Sequence, residues 1–347
     1  MPPTFQLFTS LRYDPLLLTS PENSRPDLNF LAPSPFYMLA YHRDRMVEAA
    51  QHFDFAPVVA ALADGAALHA TLLGEVRAWQ EKEGSRDGPL KVRVCFDAAG
   101  SMTVNFVPVP PVPLATLYPT SFAPPREPAQ KHPAQAFTPS PLTGGPSDSL
   151  PAGNQDPNAA PRAAEWLLHL DTAPTPRTPF TLLKTTQRGP YTASRARAIP
   201  AVKPAVSSDP PSAPSSAAVS PAALTDVILF NAVREVTEST LASLYFWRGG
   251  KWVTPPVGVP EAYKLPSAHP PTAADEGELR APFAGRWGHS VRSAKVGAGG
   301  QRGTSRRWAL GKGFCMEEGV DVETVRVGEG VWVSNGVRGF GWGRVVG

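Results

Sequence analysis

The stretch Pro179-Phe-Thr-Leu-Leu-Lys184-Thr-Thr-Gln-Arg-Gly-Pro-Tyr191 decides how the rest of the chain is read. A short apolar run of strand-like composition leads into Lys184, and a Thr-Thr pair, an arginine and Tyr191 follow it. A lysine leaving a buried strand is uncommon, because its ammonium loses hydration there unless a partner or a lowered pKa compensates. Lysines so placed often do covalent chemistry through a neutral amine. Taken alone, an ordinary surface lysine is the commoner case. Its neighbours along the chain raise the chemical reading.

Downstream stand Asp226-Val-Ile-Leu-Phe-Asn-Ala-Val-Arg-Glu-Val-Thr-Glu-Ser-Thr-Leu-Ala-Ser-Leu-Tyr-Phe-Trp247 and Gly303-Thr-Ser-Arg306. Lys-Thr-Thr with a tyrosine, a Val-Thr-Glu turn between two apolar strands, and Gly-Thr-Ser-Arg, in that order, resemble the pyridoxal-phosphate enzymes of the class IV aminotransferase family. Within that family the likeness is to fungal aminodeoxychorismate lyase-like proteins, which make p-aminobenzoate for folate. It runs from Phe5 to Val346, interrupted by proline-rich insertions. The resemblance implies an α/β (α+β) fold, the two-domain D-amino-acid aminotransferase-like architecture, with its site in the cleft between the domains.

Composition sets the outer bounds. At 347 residues with 42% hydrophobic side chains, the chain suits about two domains and a sizeable core. The net charge of +3 is small and the basic residues are scattered, so neither nucleic acid nor a membrane surface is expected as a partner. No apolar run reaches the roughly 18 residues of a membrane span. Two cysteines, Cys95 and Cys315, imply neither a disulfide framework nor a zinc site, and a reducing, cytoplasmic location is expected. Proline is the outlier, at 41 residues.

In chain order, Thr4 to Tyr13 reads as a first strand, Phe36 to Leu39 as a short strand, and Tyr41 to Phe53 as a helix with Met46, Ala49, Ala50 and Phe53 on one face. A second helix is clearest from Leu68 to Trp79. Lys91 to Phe96 and Met102 to Val107 form a hairpin, closing a small α+β domain over residues 1–121. His52 and His69 read as incidental, with no metal expected. Residues 122–161 are too poor in large apolar side chains to offset their ordering entropy, and read as a disordered insertion. A larger domain follows over 162–347, with low-complexity insertions at about 200–221 and 258–300. It includes strands at Trp166 to Asp171, Val325 to Val327 and Val331 onward, and a helix starting at Gly303 with Thr304 or Ser305 as N-cap.

The resemblance also assigns roles. Lys184 carries pyridoxal 5'-phosphate, with Tyr191 as a hydrogen-bond partner of the cofactor or of the lysine. Arg45, in His42-Arg-Asp-Arg45, touches the phosphate, and its planar fork suits that task. Thr304 and Ser305 receive the phosphate at a helix start. Glu238 keeps the pyridine nitrogen protonated. Asn335 and Arg338, in Ser334-Asn-Gly-Val-Arg338, face a small-molecule substrate, and Arg338 suits a carboxylate. Many relatives have glycine and asparagine where this chain has Ser239 and Ser243, which puts the fine geometry of that turn in question. The implied activity is conversion of 4-amino-4-deoxychorismate to p-aminobenzoate and pyruvate, and the family's usual state is a homodimer. A transaminase for branched-chain or D-amino acids uses the same cofactor motifs, and a decayed, proline-rich interaction protein is the non-enzyme alternative.

Overall fold

The computed structural model describes residues 4–84, 88–123, 165–199, 224–258 and 298–347. The interiors of the three expected insertions lie outside these residues. The mixed helix-and-sheet architecture expected from the sequence is the one observed. It is built on two sheets, one of three strands and one of eight.

The smaller sheet runs β1 (Leu7–Tyr13), β2 (Leu90–Phe96), β3 (Met102–Pro108), antiparallel throughout, with Leu7 opposite Phe96 and Leu90 opposite Pro108. Three helices, α1 (Leu39–His52), α2 (Ala56–Ala61) and α3 (Gly65–Glu83), accompany it. Met46, Ala49, Ala50 and Phe53 of the α1 segment are all buried, as the spacing predicts, against Leu7, Leu11 and Val92 of the sheet. Helix α3 is well bounded. The Asp64 carboxylate accepts from the N–H groups of Ala66 and Ala67, and Gly84 ends the helix at φ 58°, a conformation glycine adopts freely.

The expected strand at Phe36 to Leu39 does not form. Only Phe36 bridges to Tyr13, because Met38 turns into the left-handed region at φ 54° and feeds α1 directly. With no side-chain N-cap, the first amides of α1 donate to the preceding loop: Leu39 N–H to Asn29 Oδ1 at 3.1 Å and Ala40 N–H to the Leu28 carbonyl at 2.9 Å.

The larger sheet is assembled from β4 (Trp166–Leu170), β5 (Leu224–Phe230), β6 (Val236–Ser239), β7 (Ser243–Arg248), β8 (Lys251–Thr254), β9 (Met316–Glu317), β10 (Gly330–Asn335) and β11 (Gly339–Val346). Their order is β6-β5-β4-β11-β10-β7-β8-β9, with β5, β4 and β11 parallel at the centre. The expected strand at Val325 to Val327 is absent; a 3-10 turn at Val322–Thr324 precedes it and the chain only regains a strand at Gly330. Short helices α4 (Leu114–Leu117), α5 (Pro179–Leu182), α6 (Gly189–Ala198) and α7 (Thr304–Gly311) complete the described chain.

Two corrections concern where the sequence expected insertions to begin and end. Phe122, expected as the first residue of a disordered stretch, is 8% exposed and packs its ring on Trp332 at 5.1 Å, with Tyr245, Phe314 and Phe340 around it. Gly258 and Ala298 to Gly300, expected inside the third insertion, are buried as well. A large aromatic or a tightly packed glycine belongs to the core whatever the composition of its neighbours. Phe122→Ala is expected to destabilise the protein by about 3 kcal/mol in urea unfolding, the usual cost of emptying a phenylalanine pocket. A loss under about 1 kcal/mol would show that this ring is not part of the core.

Candidate active site

Lys184 does not leave a strand. The apolar run ahead of it is the one-turn helix α5, closed by a reciprocal capping box between Thr178 and Thr181, after which Leu183 is extended. The segment then docks on the free edge of β1. Phe8 N–H donates to the Lys184 carbonyl at 3.0 Å, Thr186 N–H to the Gln6 carbonyl at 2.9 Å, and Leu7 bridges Thr185. The lysine is therefore fixed by backbone bonds to the small sheet, facing a cavity of about 320 Å³ between the two sheets.

That cavity gathers most of the residues singled out by the sequence: Arg45, Lys184, Glu238, Thr304, Asn335 and Arg338 all line it. Tyr191 and Ser305 do not. Tyr191 is buried behind Glu238, its hydroxyl 2.7 Å from Glu238 Oε1. The Ser305 hydroxyl is buried and donates to Ser334 Oγ at 2.8 Å, so it acts through Ser334, which does reach the cavity. Nor is either hydroxyl of this pair the N-cap of α7. Gly303 holds that position without a side-chain bond, because a Cβ there would lie 2.4 Å from Ser243 Oγ. The first amides of α7 are thereby left without a side-chain cap beside the cavity.

Glu238 sits on a short strand rather than in a turn. Strand β6 pairs Glu238 with Leu229, and the turn follows at residues 240–242. Asp226, fully buried, holds this turn: its carboxylate accepts from Ser239 Oγ at 2.6 Å, Leu241 N–H at 3.0 Å and Arg195 Nη1 at 3.1 Å. Ser239 Oγ also accepts from Ala242 N–H at 3.0 Å. Ser239 thus makes bonds a glycine could not.

Arg45 is fixed from α1. Its Nη2 donates to Thr9 Oγ1 at 2.7 Å, so Thr9 gives its own proton to His42 Nδ1, also at 2.7 Å. The other ring nitrogen, His42 Nε2, then donates to Thr304 Oγ1 at 3.3 Å. Burial, with help from Arg45 and Lys184, pushes the pKa of His42 well down, consistent with this neutral tautomer. Arg45 Nε is buried and, among the described residues, has no hydrogen-bond partner, an open donor beside the uncapped helix start.

The electrostatics of the cavity are lopsided. Among the described residues its walls carry, besides the amine of Lys184, the cations Arg45, Lys91, Arg93, Arg188 and Arg338 against the single carboxylate of Glu238. Burial pushes the Lys184 amine well below its ordinary pKa of 10.5, and Arg45 and Arg188 push the same way, while Glu238 opposes them. Burial raises the pKa of Glu238, opposed by the Tyr191 hydroxyl and by the Gln301 backbone. Burial and then Arg93 and Arg338 lower that of Lys91. Four of these groups carried no assigned role in the sequence reading: Lys91, Arg93, Arg188 and Gln301. The first two had a signal, since they alternate with the buried Val92 and Val94 and so share one face of β2. Arg188 lay in the quoted stretch, four residues after Lys184. Gln301 had no signal in composition or spacing.

No family model matches the sequence, and no curated protein matches it. Among solved structures the chain is similar to a provisionally described amino-acid aminotransferase from Mesorhizobium loti, at 13% identity over 99% of this chain and 100% of that one, with a TM-score of 0.49. It is also similar to a fold IV transaminase from Curtobacterium pusillum, at 11% identity over 98% and 79% of the two chains, TM-score 0.47. A third is 4-amino-4-deoxychorismate lyase from Pseudomonas aeruginosa, at 13% identity over 98% and 83%, TM-score 0.43. All three scores fall below 0.5, and the functional reading rests instead on the chain's own side chains.

The depressed pKa of Lys184 has a consequence for stability. With its pKa lowered by burial, Lys184 binds a proton less readily in the folded, cofactor-free protein than in the unfolded chain, so stability rises as pH climbs toward 10.5. Lys184→Met removes that linkage. The variant is expected to melt at a higher temperature than the parent at pH 7, with the gain shrinking as pH approaches 10; a gain independent of pH would contradict a lysine pKa lowered by burial.

Proposed function

We propose that the chain is a pyridoxal-phosphate-dependent enzyme of the class IV aminotransferase type, acting as a lyase on 4-amino-4-deoxychorismate to give p-aminobenzoate and pyruvate. The observation that carries this reading is one cavity holding a buried lysine amine, a carboxylate anchored by a tyrosine, and a marked excess of basic side chains. The residues present fit the cofactor. Arg45, with its unpartnered Nε, and the uncapped first amides of α7 suit a phosphate; Glu238 suits a pyridine nitrogen; and Lys184 suits covalent attachment.

Pyridoxal phosphate, when bound, supplies an electron-withdrawing ring that acidifies the carbon next to the substrate nitrogen. The chain's residues do the remaining work. Glu238 would keep the pyridine nitrogen of that ring protonated by charge and hydrogen bonding, and Tyr191 keeps its carboxylate in place. Lys184 Nζ, whose neutral form is favoured by desolvation and by the neighbouring arginines, accepts the ring proton of the substrate. Loss of that proton, together with departure of the enolpyruvyl ether as pyruvate, leaves an aromatic ring. Lys91, Arg93 and Arg338 meet the substrate's carboxylates.

The cation excess is what favours the lyase over an amino-acid transaminase. A substrate with two carboxylates, added to a phosphate, brings several negative charges into the cavity, and a monocarboxylate amino acid brings fewer. The two cysteines are free and buried, which fits a reducing, cytoplasmic setting. The family likeness adds a homodimer to the proposal.

Borohydride treatment in the presence of pyridoxal phosphate should fix the label on Lys184 in peptide maps. Glu238→Gln should keep that label and lose about a hundredfold or more in turnover, since an amide carries no charge. Given aminodeoxychorismate alone, the protein should release pyruvate and p-aminobenzoate over many cycles. Release only in the presence of an added keto acid, or turnover of an amino acid with no action on aminodeoxychorismate, would replace the lyase with a transaminase. A label on another lysine, or none, would remove the enzyme reading and leave an interaction protein.

A further inference from the structure

A hydrogen-bonded chain joins Lys184 to Glu238 through a side chain that no motif indicated. Lys184 Nζ donates to Gln301 Oε1 at 3.3 Å, Gln301 Nε2 donates to the Tyr191 hydroxyl at 3.0 Å, and that hydroxyl donates to Glu238 Oε1 at 2.7 Å. The chain fixes which way the Gln301 amide faces. The Tyr191 hydroxyl has one proton and two acceptors in reach, the Thr181 carbonyl at 2.9 Å and the carboxylate at 2.7 Å. The nearer, charged acceptor takes it. The tyrosine oxygen can then only accept from Gln301, which puts the amide NH2 on Tyr191 and the amide oxygen on Lys184.

That orientation matters for the amine. A neutral lysine facing an amide oxygen gives it one N–H and keeps its lone pair free. The reversed amide would present an NH2 group to the lone pair and occupy it. Gln301 is held for this by the backbone before it. Gly300 takes φ 92°, and a Cβ on Gly299 would lie 2.9 Å from Thr237 Cγ2, so these glycines let the segment lie close against β6, beside Glu238. Gln301 is 7% exposed.

We propose that Gln301 is a positioning residue that turns the lone pair of Lys184 into the cavity and ties its orientation to the carboxylate of Glu238. The proposal rests on Lys184 as the reacting amine. The charged groups around that amine are Arg45 from α1, Arg93 from β2, Arg188 before α6 and Glu238 from β6, with the Phe8 ring of β1 5.1 Å from Nζ. None of them holds the amine by a hydrogen bond, which leaves that task to Gln301.

The test uses full-length protein freed of any bound carbonyl compound by dialysis against hydroxylamine. Trace acetylation by acetic anhydride is followed across pH, with Lys184 read by peptide mass spectrometry in the parent, Gln301→Leu and Gln301→Glu. In Gln301→Leu the plateau rate at Lys184 should fall about tenfold, since the amine loses its orientation. In Gln301→Glu the plateau should be retained, because an acceptor is still present, while the midpoint moves to higher pH as the new carboxylate favours the ammonium. Parental plateau and midpoint in both variants would overturn the proposal. Should the leucine variant not fold, an unmoved midpoint in the glutamate variant overturns it alone. Because acetic anhydride needs no cofactor, the two readings fail separately. Acetylation that depends on Gln301 without any pyridoxal phosphate label on Lys184 keeps the positioning role and removes the proposed enzyme. A normal label with acetylation indifferent to Gln301 does the reverse.

Discussion

Desolvation of Lys184 among Arg45, Arg93 and Arg188 is the constraint on which the rest of the site depends. An ammonium in that place would be opposed by lost hydration and by three like charges, with one carboxylate to offset them. The neutral form of the amine is therefore favoured, and a neutral amine is a nucleophile and a base. The surrounding cations have a second effect: they leave the cavity short of negative charge, which an anionic ligand supplies. Reactivity of the lysine and affinity for anions thus arise from the same arrangement of side chains.

The fold delivers that arrangement from both sheets. Strand β1 fixes the backbone at Lys184, and it also accepts the turn on the opposite wall, since Arg12 N–H donates to the Gly336 carbonyl at 3.0 Å. The Arg12 guanidinium is almost fully buried, paired with Asp14 at 2.7 Å, and bonded to the carbonyls of Val337 and Pro110. Asn335 shapes the same turn by accepting from the N–H groups of Val337 and Arg338. Its side-chain oxygen is committed to the backbone, so Asn335 shapes this part of the cavity wall. Arg338 lines the same cavity as Lys91 and Arg93 of β2.

Much of this was legible in the sequence, for identifiable reasons. The hairpin of Lys91 to Phe96 and Met102 to Val107, with turn residues between them, located β2 and β3, and the spacing of Met46, Ala49, Ala50 and Phe53 on one face located the buried side of α1. The ordered motifs at residues 42–45, 184, 238 and 303–306 named side chains that do converge on one region. What was not legible depended on contacts between distant segments. Phe36 to Leu39 has strand composition, yet Met38 must turn to start α1. Ser305 looks like a hydroxyl free to bind, yet Ser334, 29 residues away, claims it. Phe122 stands at the head of a proline-rich run and is core because Trp332 and Tyr245 surround it. Gln301 acquires its place from the close approach of two glycines to Thr237, a feature with no one-dimensional signature.

The central claim is that Lys184 and Glu238 face each other across one pyridoxal phosphate site. A crystal structure of the protein grown with that cofactor tests it most directly. The account predicts electron density continuous with Lys184 Nζ, a ring nitrogen within hydrogen-bond distance of Glu238, and the phosphate between Arg45 and the start of α7. Density joined to a different lysine, or a cavity that stays empty at saturating cofactor while Lys184 keeps its bond to Gln301, would contradict it.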